Sequence, residues 1–121
     1  MEKYKVDFFR DTEGTKPVGT FIKSLDVKMK AKIVANLRLL EEYGIFAREP
    51  LSKELEDGIF EIRTIEGNDI VRILYFFDKD RIIIVTNGFV KKQNKTPRKE
   101  IDLAKRRRKD YHSRKEAGTY E

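Results

Sequence analysis

Apolar and polar residues alternate through Tyr4-Lys5-Val6-Asp7-Phe8, the period of a strand with one buried face. The period then changes. Pro17 stands where a first helical residue belongs, and Val18, Phe21, Ile22 and Leu25 follow at i, i+3, i+4 and i+7, which predicts a short helix. A second stripe, Met29, Ile33, Leu37, Leu40 and Tyr43, predicts a longer one, with Gly44 placed as a left-handed C-terminal cap. The two helices are expected to form a hairpin. From Leu51 the pattern is that of strands, over 51–55, 59–65, 70–77 and 82–86, separated by Asp57-Gly58, Gly67-Asn68-Asp69 and Asp78-Lys79-Asp80. Such turn compositions favour antiparallel hairpins, hence a meander. Its third and fourth strands are nearly continuous apolar runs, so the sheet centre should be covered, most simply by the helix hairpin. One charge interrupts the third: Arg72. Thr96-Pro97 reads as the cap and first-turn proline of a last helix running to about Asp110, whose few apolar positions are Ile101, Leu103, Ala104 and, near its end, Tyr111. Residues 117–121 are expected to fray. The pattern predicts an α+β fold, an antiparallel sheet with an N-terminal helix hairpin on one face and a C-terminal helix.

The chain has 121 residues, which suits one domain over 1–121 with a single core. It has no cysteine, so disulfides, thiolate zinc sites and thiol nucleophiles are excluded. No apolar run approaches a membrane span, and the N-terminus alternates charged with apolar residues where a signal peptide would be apolar; a soluble, cytoplasmic protein is expected, with no membrane partner. The formal charge of +6 becomes informative once located. Residues 91–115 hold twelve Lys and Arg against three Asp and Glu, a local +9 that leaves −3 for the remainder. A mildly acidic body with a strongly basic final quarter suits contact with a polyanion, or equally a solvated basic tail.

Little of the usual catalytic apparatus is present. The single histidine, His112, offers neither a histidine pair nor a histidine metal site and reads as a surface residue. Asp78 and Asp80 read as solvated turn formers, and no glycine-rich phosphate loop, nucleophile elbow or dinucleotide fingerprint occurs. What remains is cationic. Arg63 and Arg72 are expected on adjacent antiparallel strands, and Lys91, Lys92 and Lys95 follow the last strand. If they converge, the arginines supply planar forks for a phosphate, and a lysine crowded by other cations supplies a general base. That set suits RNA cleavage without a metal: the ribose 2′-hydroxyl attacks the adjacent phosphorus while cations hold the growing charge. The plainer alternative pairs Arg63 with Glu61 or Glu66 and leaves the lysines as a solvated loop. Arg72, within an apolar strand, requires either a buried acidic partner or an open cleft.

The strings Leu55-Glu-Asp-Gly-Ile-Phe-Glu-Ile-Arg63, Val71-Arg-Ile-Leu-Tyr-Phe76, Asn87-Gly-Phe-Val-Lys-Lys-Gln-Asn-Lys-Thr-Pro97 and Glu100-Ile-Asp-Leu-Ala104 resemble the RelE/HigB branch of bacterial type II toxins, especially its phage-derived HigB-like group. The resemblance spans Tyr4 to Arg114. It implies a RelE-like α+β fold and an mRNA interferase, an endoribonuclease acting on translated mRNA in the ribosomal A site without metal or other cofactor. It also implies neutralisation by a cognate helix-turn-helix (HigA-like) antitoxin, with operator DNA met only through that antitoxin. By motif, Arg63 and Arg72 match the family's sheet arginines that grip the scissile phosphate, and Lys91, Lys92 and Lys95 match its cationic loop. Lys105, Arg106, Arg107, Arg108 and Lys109 would hold mRNA and ribosomal RNA, with Tyr111 or His112 near the C-terminus for stacking or proton transfer. The same fold serves ParE-like toxins, which poison gyrase and cleave nothing, and a non-catalytic basic domain binding RNA or protein would share the charge map.

Overall fold

Five strands and three helices follow one another in the predicted order in the computed structural model, which describes residues 3–91 and 94–121. They are β1 (Lys5–Phe8), α1 (Pro17–Lys23), α2 (Val27–Tyr43), β2 (Ser52–Glu56), β3 (Ile59–Glu66), β4 (Asp69–Asp78), β5 (Ile82–Val90) and α3 (Arg98–Ala117). Strands β2 to β5 form the expected antiparallel meander, and the sheet order is β1-β5-β4-β3-β2. The sheet is nevertheless mixed, because β1 lies parallel to β5, with Lys5 opposite Ile82 and Phe8 opposite Val85. Alternation in β1 signals a buried face but not a neighbour, and no hairpin turn joins two strands so far apart in sequence.

The first two helices also differ from expectation. Each buries its stripe on the sheet, α1 against β5 and β1 and α2 against β3 and β1, and they make little contact with one another as a hairpin. Asp26 starts α2 by accepting a hydrogen bond from the Met29 N–H at 2.9 Å, which sets the new helix direction three residues after α1 ends. Their apolar residues, including Val18, Ile33 and Leu40, meet Ile62, Ile73, Tyr75 and Ile83 in one core. On the opposite face Leu74, Phe76 and Ile84 meet Ala104 and Tyr111 of α3 in a second. Alternate residues of β4 thus feed two cores, which is why its run is apolar but for Arg72.

Helix α3 extends to Ala117, beyond the expected end near Asp110, and is closed by Gly118 at φ 75°. The segment after it is docked rather than frayed. The Tyr120 hydroxyl accepts from the Arg10 N–H at 2.9 Å, its ring meets Tyr111 at 4.7 Å, and the Arg114 guanidinium lies 4.7 Å from that ring. Helix periodicity misses this because aromatic and cationic groups, not an aliphatic stripe, hold the tail. Gly44 is required for a related reason: φ is 51°, and a Cβ there would stand 2.0 Å from the Tyr4 ring. Gly44→Ala is expected to cost about 3 kcal/mol, from overpacking and positive φ together, read as a lower urea midpoint.

Candidate functional site

The site grows from the register of β3 and β4, which sets Arg63 directly opposite Arg72 on the face that α3 covers. Like charges facing each other across strands repel, so a counter-charge is needed. Glu61 supplies it. It lies two residues before Arg63, hence on the same face, and is fully buried. One carboxylate oxygen accepts from Arg63 Nε at 3.0 Å. The other accepts from Arg72 Nη1 at 3.3 Å and from the Thr96 hydroxyl at 2.5 Å. Arg72 further donates to the Thr96 hydroxyl at 2.9 Å and to the Asn94 carbonyl at 3.1 Å.

Of the two environments that Arg72 allows, the structure has the buried acidic partner. Only 3% of its side chain is exposed, so the direct phosphate contact expected of it is not available in this arrangement. Thr96 departs from expectation as well. Its hydroxyl does not cap α3, which starts after Pro97 without a side-chain cap, because it is committed to Glu61. Arg63 retains partial access with 22% of its side chain exposed, and Glu49 stands 3.7 Å from its Nη1. Lys91 is fixed through its N–H to the Ile70 carbonyl at 2.7 Å. Lys95 is exposed, between the two residues that touch Arg72, and lines a cleft of about 590 Å³ with Lys53, Arg98 and Ile101. Lys92 lies outside the described residues. Lys53 escaped the sequence reading, yet register places it opposite Glu61 on the same face. Its position in the period-two pattern of β2 was the available signal.

The basic run on α3 divides in two. Lys105 pairs with Glu56 at 2.5 Å, Arg108 with Asp57 at 3.5 Å, and Arg107 donates to the Thr86 carbonyl at 2.8 Å beside the Phe9 ring. These three fasten α3 to the sheet and its β2–β3 turn; burial pulls the Arg107 pKa down. Hydrogen bonds from Arg98 and Lys105 hold the Glu56 carboxyl at about 2. Arg106 and Lys109 are exposed and carry no ion pair among the described residues, so they are the members of the run open to a polyanion. Tyr111, expected at the RNA, is instead buried: at 2% exposure it packs on Phe76 and donates to Asp78 at 2.6 Å, so it has no free face for a base. Burial, reinforced by that carboxylate, pushes its pKa up, which unsuits it to proton transfer near neutrality. His112 is exposed, with its ring near Phe76.

Residues 20–109, well over half of the chain, match the family model described as Phage derived protein Gp49-like (DUF891). The chain belongs to this family. Among curated proteins none matches it. The Gp49-like match contains Glu61, Arg63, Arg72, Lys91, Lys95 and Thr96, that is, the whole described cluster. Among the described residues, no helix is long and apolar enough to cross a membrane, and no group of three or more His, Asp and Glu could hold a metal ion.

Proposed function

We propose that this Gp49-like chain is the toxin of a type II toxin–antitoxin pair, RelE-like in fold, and that it cleaves translated mRNA on the ribosome. One observation carries the reading: Arg63 and Arg72 converge on one buried carboxylate, Glu61, with Lys95 and Lys53 beside them, while the other acids nearby, Glu49 and Glu56, are both partly solvated. In the proposed reaction the 2′-hydroxyl loses its proton and its oxygen attacks the adjacent phosphorus. The bond from phosphorus to the 5′-oxygen breaks, leaving a 2′,3′-cyclic phosphate, and the leaving oxygen takes up a proton. Arg63 and the loop lysines hold the phosphorane oxygens, where the charge is greatest. Arg72 acts from behind, through Glu61 and Thr96. Arg106 and Lys109 attract the RNA backbone from the outer face of α3. A cognate helix-turn-helix antitoxin neutralises the protein.

Primer extension on translated mRNA tests this. Wild type is expected to produce cleavage, and Arg63→Ala to reduce it by about 100-fold, the scale of removing one preorganised donor. Co-expression of the adjacent reading frame is expected to relieve growth arrest. Absence of cleavage by wild type rejects the ribonuclease. A specific observation favours a second reading in that event: Arg72 is satisfied by Glu61, Thr96 and Asn94 without any substrate, as a non-catalytic basic RNA-binding domain would have it. RNA binding without cleavage is its signature.

A further inference from the structure

We infer that Glu61 and Thr96 are positioning residues, a tether that holds the cationic loop at the sheet so that Lys95 meets the scissile phosphate alongside Arg63. The inference rests on the ribonuclease reading and deepens it by naming what places the loop.

Four observations support the tether. The Thr96 hydroxyl lies 2.5 Å from Glu61 Oε1 and 2.9 Å from Arg72 Nη1, so a single side chain of the loop closes the cluster. The Asn94 carbonyl, 3.1 Å from Arg72 Nη2, pins the other side of Lys95. Lys95 is therefore bracketed by two anchors while its own residue stays exposed. Thr96 could instead have capped α3, where threonine is favoured, and its hydroxyl goes to the sheet. The cluster is also poorly built for stability alone. Two guanidinium groups share one buried carboxylate, and Arg72 Nε is buried with no hydrogen-bond partner among the described residues, which costs free energy. An apolar pair would pack this part of the sheet at lower cost. What the polar arrangement provides is a fixed distance between loop and sheet.

Thr96→Val removes the hydroxyl with little change of shape and leaves both Glu61 ion pairs in place; Thr96→Ser keeps the hydroxyl. In single-turnover and steady-state cleavage, Thr96→Val is expected to lower kcat by about 10- to 100-fold, the scale of a displaced reacting group, with KM within about twofold of wild type. Thr96→Ser should restore kcat. Hydrogen exchange supplies a readout independent of catalysis. Peptides covering 94–97 should exchange at least about tenfold faster in Thr96→Val, while those of β3 and β4 stay as in wild type. Unchanged exchange at 94–97 overturns the tether. Faster exchange with wild-type kcat overturns its positioning role. A wild type that cleaves no RNA rejects the underlying ribonuclease reading, whereas a wild type that cleaves beside an equally fast Thr96→Val rejects this inference alone.

Discussion

Glu61→Leu is expected to remove about 3–5 kcal/mol of folding stability, because it leaves a buried guanidinium without its counter-charge. Typical domains hold only about 5–15 kcal/mol in total, so a large part of the protein would unfold at physiological temperature. Arg72 cannot relieve the loss by turning to water: its side chain is 3% exposed, and its remaining partners among the described residues, Thr96 and Asn94, are uncharged. Adding Arg72→Met to Glu61→Leu should recover most of the loss, since an apolar pair of similar volume removes both desolvated charges. Urea denaturation of wild type, the single variant and the double variant measures this. A single variant with the wild-type midpoint would mean that water reaches Arg72. Arg72→Ala strips Glu61 of one partner and frees the Asn94 carbonyl, so if the proposed cleavage were lost in it, a missing phosphate ligand could not be separated from a disordered site. Arg63→Ala is cleaner, because Arg63 is partly solvated and Glu61 keeps Arg72.

How far these features were legible in the sequence depends on how local their causes are. Val18 to Ile22 and Met29 to Leu40 declare their helices because each buries one stripe on the sheet. The meander declares itself through turns two or three residues long. Partners distant in sequence leave no such trace, so the parallel seam between β1 and β5 was not legible, nor was the docking of Tyr120 on Arg10 and Tyr111. The end of β5 was obscured by the irregularity opposite Leu74 and Tyr75, which carries the strand on to Val90. For the site, spacing gave half the answer. Glu61 and Arg63 share a face by their separation of two, and Arg72 announced that it needed an acid or a cleft. That the same carboxylate serves both arginines, and takes a threonine from the loop as well, follows only from register and the return of residues 94–96 over the sheet.

Tyr111→Ala is expected to cost about 3–5 kcal/mol, the range for deleting a buried aromatic side chain. The ring meets Phe76 at 5.5 Å and Tyr120 at 4.7 Å, and few other apolar residues of α3 touch the sheet, so the helix and docked tail should loosen together. Tyr111→Phe isolates the hydroxyl, which donates to Asp78, and is expected to cost about 1 kcal/mol near neutral pH because the acceptor is partly solvated. The pH dependence has a definite sign. Partial burial raises the Asp78 pKa, but the hydrogen bonds from Tyr111 and the Lys79 N–H, with the nearby His112 and Lys115, outweigh it and hold the carboxyl below its ordinary value. A carboxyl depressed in the folded state stabilises the fold above its unfolded pKa and loses that contribution as pH falls through the folded one. The stability gap between wild type and Tyr111→Phe should therefore be full at pH 7 and close on acidification below the ordinary carboxylate range. Denaturant midpoints across pH 2–7 measure it, and a gap that widens toward acid would refute the charge-assisted bond. RNA affinity, compared where both proteins are folded, should be unchanged in Tyr111→Phe. A loss of affinity with equal stability would place the tyrosine hydroxyl at the RNA after all, and α3 would then have to lift from the sheet before RNA binds.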